Sequence, residues 1–153
     1  MTPNDSQIRE AMRSLVQTVA PLAVVYPRWV LGYNPVEWPG LLRSPNDNER
    51  PHGWVITRRR NSGKKNHRRC VDRDWAYAVW GFHYYLTGDD ANNSEDLFSA
   101  ECDAVAETLD KDLEPALPEL RLIEAVDFQF DLYGFGGEML HVAQGVLVAR
   151  PCC

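Results

Sequence analysis

Ile8, Met12, Leu15, Val16 and Val19 recur at helical spacing near the start of the chain. Asn4-Asp5-Ser6 supplies N-cap residues ahead of them, and Gln7 follows Asn4 by the interval of a capping box. Pro21 stops the run, so the pattern predicts an amphipathic helix of about four turns. The next stretch, residues 23–30, is β-prone but interrupted by Pro27, which predicts an edge or irregular strand. Turn residues then accumulate at Asn34-Pro35, Pro39-Gly40 and Ser44-Pro45, and residues 34–51 read as an extended loop of a length often given to function or interaction.

Strand character resumes over residues 53–60, and Asn61-Ser62-Gly63 is a turn signal. It is strongest over residues 74–85, where Trp75, Tyr77 and Val79 share one face and Ala76, Ala78, Trp80, Phe82 and Tyr84 the other. Two apolar faces predict a central strand covered on both sides. These two strands frame a long protruding β-hairpin over residues 57–74.

Asn92-Asn93-Ser94 caps a second helix, with Leu97, Phe98, Ala104, Val105, Leu109 and Leu113 as its apolar stripe and Pro115 and Pro118 at its end. Residues 122–132 then read as one strand: Val126, Phe128, Phe130 and Leu132 face one way, Asp127, Gln129 and Asp131 the other. Residues 133–137 connect it to a last strand over 139–150. The order is α, β, long loop, β-hairpin, β, α, β, β. It predicts a single α+β domain over residues 1–153: a mostly antiparallel β-sheet, two amphipathic helices packed on it, and the long protruding hairpin. Residues 151–153, including Cys152 and Cys153, are expected to fray.

Composition supports one globular domain, with 44% hydrophobic and 25% charged residues in a 153-residue chain. No apolar run approaches the ~20 residues that span a bilayer. The polar, acidic start, Met1-Thr2-Pro3-Asn4-Asp5, lacks the regions of a signal peptide, which predicts a protein made and kept in the cytosol.

Charge changes the picture more. The net charge is -6, yet Arg58, Arg59, Arg60, Lys64, Lys65, Arg68, Arg69 and Arg73 make up half of the 16 Lys and Arg residues. Of the 22 Asp and Glu residues, 15 fall between Asp89 and Glu138, answered there only by Lys111 and Arg121. Charged hairpins often serve only to protect an exposed edge, and acidic helix faces are often only solvated. Positive charge this dense nevertheless repels itself unless something answers it. An acidic face of Glu101, Asp103, Glu107, Asp110 and Asp112 on a neighbouring copy is one answer; nucleic-acid phosphates are another.

Candidate catalytic chemistry is sparse. Ser-His-Asp sets, phosphate-binding glycine loops and metalloprotease motifs are missing. Cys70, Cys102, Cys152 and Cys153 form no Cys-x-x-Cys pair. His83 and His141 lie in predicted strands and could meet across the sheet, with Cys70 or Asp131 as candidate partners, but structural histidines are the expectation. No catalytic residue, metal site or cofactor is predicted.

Several features together resemble a known family. They are the short N-terminal amphipathic helix, the Pro-rich segment Tyr33-Asn34-Pro35-Val36-Glu37-Trp38-Pro39-Gly40 and the hairpin ending in an apolar strand. To these add the acidic helix opening at Asn93-Ser94-Glu95, with Leu109-Asp110 near its end, and the final strands at Ala125-Val126-Asp127-Phe128 and Gln144-Gly145-Val146-Leu147-Val148-Ala149. In order, size and texture the chain is similar to the tail terminator (tail completion, neck) proteins of tailed bacteriophages. The resemblance implies a non-catalytic virion protein, assembled in the host cytoplasm. Such a protein forms a ring, typically a homohexamer, that caps the tail tube and stops its polymerisation. Implied partners are the tail tube protein, a head-completion or connector protein, sheath protein if the tail is contractile, and genomic dsDNA passing through the lumen; no membrane is implied. Other readings are a head-closure or stopper protein of the same neck, a nucleic-acid-binding module in which Trp54 and Trp75 stack bases beside the basic hairpin, and last a small enzyme built on His83 or His141.

Overall fold

The computed structural model describes residues 2–59, 74–87 and 93–151. Its first helix, α1 (Asp5–Val19), starts at the capping box: Asn4 Oδ1 accepts the Gln7 N–H at 2.8 Å, and Gln7 Oε1 accepts the Asn4 N–H at 2.9 Å. Ile8, Met12 and Val16 form its buried stripe. The second long helix, α3 (Ser94–Ala116), is capped by Asn93 and buries Phe98, Cys102, Val105, Leu109 and Leu113. Leu97, expected on that stripe, is exposed; Cys102 occupies the buried position instead.

Among the described residues seven strands make one sheet: β1 (Val24–Tyr26), β2 (Arg43–Ser44), β3 (Arg50–Arg58), β4 (Trp75–Tyr84), β5 (Leu120–Glu124), β6 (Gln129–Phe135) and β7 (Glu138–Pro151). The spatial order is β1-β3-β4-β7-β5, with β2 also on β3 and β6 also on β7. Among the described residues only β1 with β3 is parallel, so the sheet is mostly antiparallel and the fold is α+β. β1 is the edge strand that Pro27 predicts. β4 is central and covered on both faces.

The alternation along β4 divides the core in two. Tyr77 and Val79 join Trp54, Ile56, Leu147 and the buried stripes of α1 and α3 on one face. Phe82, with Val55, Leu140 and Val142, lies on the other face, under Leu31, Leu42 and Phe135. Burial of each such side chain stabilises the fold by roughly 1.5–3 kcal/mol.

Residues 34–51 are not an extended loop. They fold into a 3₁₀ turn (Pro35–Glu37), the short α2 (Trp38–Leu41), β2, and a second 3₁₀ turn (Pro45–Asp47). Each 3₁₀ turn opens on a proline, whose fixed φ suits a helical start. The segment covers the second face of the sheet, with Leu42 fully buried there and Trp38 packed on the same cluster.

The strand predicted over 122–132 is two strands. β5 and β6 lie end to end along the same side of β7, and residues 125–128 cross between them outside any strand. Val126 turns into the helix-covered core during that crossing. Gly145 of β7 makes room: a Cβ there would lie 2.5 Å from Val126 Cγ2 and 3.0 Å from the Asp127 carbonyl oxygen. β6 also runs further than predicted, to Phe135, and Gly136 and Gly137 close the turn at φ 62 and 91.

The tip of the predicted basic hairpin, with Arg60, Lys64, Lys65, Arg68, Arg69 and Arg73, lies outside the described residues, as do Cys70 and the terminal Cys152 and Cys153, whereas Pro151, expected to fray with them, is buried and paired with Leu120 at the end of β7. Its two arms, β3 and β4, pair antiparallel from His52↔His83 to Arg58↔Tyr77.

Candidate functional site

Of the basic residues, Arg58 and Arg59 are described and exposed. The Arg59 N–H donates to the Ala76 carbonyl at 2.8 Å, so the arm stays extended past β3. The Arg58 guanidinium lies 4.4 Å from the centroid of Trp75, a cation–π contact that covers one face of that ring. Trp54, the other aromatic proposed to stack on bases, is fully buried and unavailable for it.

The acidic residues of α3 separate into two groups. Asp103, Glu107, Asp110 and Asp112 are exposed, and Glu107 pairs with Lys111 one turn on. Glu101 does not belong to that solvated face. It sits three residues after Phe98 and four before Val105, in phase with the buried stripe, and its carboxylate turns onto the sheet. Trp54 Nε1 donates to Glu101 Oε2 at 2.9 Å, and His52 Nε2 lies 2.8 Å from both carboxylate oxygens.

His52 is thereby held from both ends. Its Nδ1 lies 2.8 Å from Asp47 Oδ2, and Asp47 Oδ1 is bound by Arg50 Nη2 at 2.5 Å. The turn before β3 delivers Asp47, with Asn48 and Glu49 both left-handed at φ 53 and 57. Non-glycine residues adopt that backbone at a cost of roughly 1–2 kcal/mol each. A neutral imidazole has one donor only; two carboxylates are both satisfied by the imidazolium. Burial opposes that charge, but Glu101 and then Asp47 outweigh it, and the His52 pKa is raised. Burial likewise opposes charge on Asp47, yet Arg50 and His52 hold its carboxyl below the ordinary value.

His52 begins a row. His52, His83 and His141 are register partners across β3, β4 and β7, with ring centroids 4.6 Å and then 6.4 Å apart. Phe98 of α3 lies over His83 and His141 at 5.5 and 6.1 Å. Burial drives the His83 pKa down to about 4 and lowers that of His141. Ser94 Oγ lies 2.9 Å from His141 Nε2 and accepts the Leu86 N–H at 2.8 Å. His83 and His141 do stand side by side across the sheet, as their strands allow, but the carboxylates of the row are Asp47 and Glu101, at its other end. Asp131 instead accepts the N–H of Leu132, at 2.8 Å. The row sets His52 between the carboxylates of Asp47 and Glu101 and places His83 and His141 beneath the Phe98 ring. It latches α3 and the 44–50 turn to the sheet. Among the described residues no group of three or more His, Cys, Asp or Glu is placed to hold a metal ion.

The opposite face carries an aromatic groove. Trp38, Trp80, Phe82, Tyr133 and Phe135 help to line a cavity of about 420 Å³ between α2 and the β6–β7 hairpin. Trp29 meets Trp38 and Trp80 edge-on at 5.4 and 5.8 Å. Sequence reading missed both the groove and the His52 latch. The signal for the latch was a carboxylate at 101 in phase with an apolar stripe.

Compared with known proteins, the chain matches no family model and no curated protein. Among the described residues no helix is long and apolar enough to cross a membrane.

Proposed function

We propose that this chain is a structural assembly protein that joins copies of itself head to tail into a ring, in the manner of a phage tail terminator capping a tail tube. The observation that carries this reading is the separation of opposite charges onto different elements. Arg58 and Arg59 stand exposed where the β3 arm leaves the sheet, with six more Lys and Arg following in the sequence to Arg73. Asp103, Glu107, Asp110 and Asp112 stand exposed on α3. Two unlike, complementary patches on one chain suit a heterologous contact, which closes into a ring when its rotation permits. Charge complementarity sets register and rejects wrong partners more than it adds affinity. In this reading the tube protein and a connector protein meet the two sides of the ring, and DNA passes through it. The polar row under α3 is a packing element, since His52 has both ring nitrogens committed to carboxylates.

Negative-stain imaging of the purified protein, with and without tail tubes, tests the reading. Rings or capped tubes are expected. Reversal of Arg58, Arg59 and Arg60 to Glu should abolish them while circular dichroism stays unchanged. Normal rings from the reversed variant would refute the charge contact, and an absence of rings and caps from the native chain would refute the ring itself.

A further inference from the structure

We infer that the outer edge of β6 receives an extended, basic segment of a second copy of this chain by strand addition. The inference rests on the head-to-tail reading above and adds to the acidic face of α3 a second receiving surface for the basic arm.

The two margins of the sheet differ. β1 has three residues, and Pro27 follows directly. A short strand beside a proline is the ordinary way to keep an edge from pairing. β6 has seven residues and neither proline nor lysine. Among the described residues it pairs only with β7. Phe130, Leu132 and Tyr133 are 54%, 39% and 50% exposed. Phe130 and Leu132 are opposite Ala143 and His141 in register and so lie on the α3 side, whereas Tyr133, opposite Leu140, lies on the groove side. An added strand would take over the Leu132 N–H that the Asp131 carboxylate now accepts, extend the ladder and cover apolar surface on both faces, the two contributions that strand addition supplies.

Charge selects the occupant. Asp127 precedes the strand, Asp131 is within it, and Glu138 follows the turn, where Arg43 reaches it at 3.6 Å. Glu95 at the start of α3 lines one cavity with Asp131 and Leu132. An extended partner with positive side chains fits this margin. The chain carries a basic candidate: Arg58 and Arg59 stand exposed where β3 ends, and the sequence that follows is rich in Lys and Arg as far as Arg73. The donor arm and the receiving edge are also different places on one copy. Arg58 lies level with Tyr77 and Leu147, whereas β6 lies along residues 138–144 of β7. A contact between unlike sites repeats from copy to copy, as a ring requires.

The test is hydrogen exchange on the full chain below and above its association concentration, read with sedimentation velocity. Slowed exchange at residues 129–134 on association is expected. Asp131→Lys together with Leu132→Lys should abolish association, and Asp131→Lys combined with Arg59→Glu should restore part of what Asp131→Lys alone loses. Association with unchanged β6 exchange would overturn the inference and leave the ring reading standing. A chain that stays monomeric at every concentration and on tail tubes would overturn both. Because the exchange measurement uses the native chain, it decides the matter even if a variant fails to fold.

Discussion

The two faces of this sheet are built from alternate residues of the same strands and end up with different properties. Under α1 and α3 the core is covered by two long helices, holds a polar row fastened by Glu101, His52 and Asp47, and opens at its margin, in a cavity lined by Glu95, Phe98, Phe130 and Leu132. Under α2 and its neighbouring turns the cover is partial, and an aromatic groove opens beside β6. A long helix lays a continuous stripe on a sheet, whereas short turns place single side chains such as Leu42 and Trp38. Where the cover ends, side chains meet water and become available to a partner.

The largest effect should come from the closed face. Trp54→Ala removes a fully buried indole and leaves Glu101 without one of its donors, so a loss of about 4 kcal/mol is expected in urea or guanidinium unfolding. Trp38→Ala on the open face should cost about half as much or less. Equal losses would mean that the two faces are equally closed.

Acid should weaken the closed face next. His83 is held neutral, its pKa lowered to about 4 against an ordinary 6.5. A lowered histidine value means that the unfolded chain takes up the proton first. The His83 contribution is therefore complete above 6.5 and falls between 6.5 and about 4, by about 3 kcal/mol. His52 works in the opposite sense. Its raised pKa gives stability that is full below 6.5 and lost as pH rises through the folded value. Stability against pH should thus have an acid limb that His83→Phe flattens and an alkaline limb that His52→Gln flattens. A profile indifferent to both substitutions would dismiss the row as a source of either limb.

Gly145→Ala probes the crossing between β5 and β6, where the new Cβ meets Val126 and a backbone oxygen. Overpacking of this kind costs typically 1–3 kcal/mol, and thermal unfolding should register it. Unchanged stability would mean that residues 125–128 lift away freely. The smallest effect belongs to the outer face of α3. Asp103→Asn and Asp110→Asn should change monomer stability by less than about 0.5 kcal/mol while weakening assembly. A large loss of monomer stability would show those carboxylates to be structural, like Glu101.

Much of the architecture was legible because it is local. The Asn4–Gln7 capping box, the double-sided alternation of β4 and the cap at Asn93 each sit within a few residues of the feature they specify. Misreadings arose where distant segments decide. The 122–132 alternation is real, but β7 offers two successive stretches of edge, and Gly145 lets the chain dive between them. The turn-rich 34–51 segment looked unstructured because no period marks a chain that packs by single side chains.

The sequence by itself determined the class of the fold, the places of α1, α3, β3, β4 and β7, the α1 stripe and the segregation of charge, all of which follow from composition and short-range spacing. Tertiary structure decided that His52, His83 and His141 stand in one row, that Glu101 faces inward while Asp103 and Glu107 face water, and that β6 is left at a margin. The reason is register. Which residues stand opposite each other depends on how strands far apart in the chain align, and no periodicity within one strand contains that information.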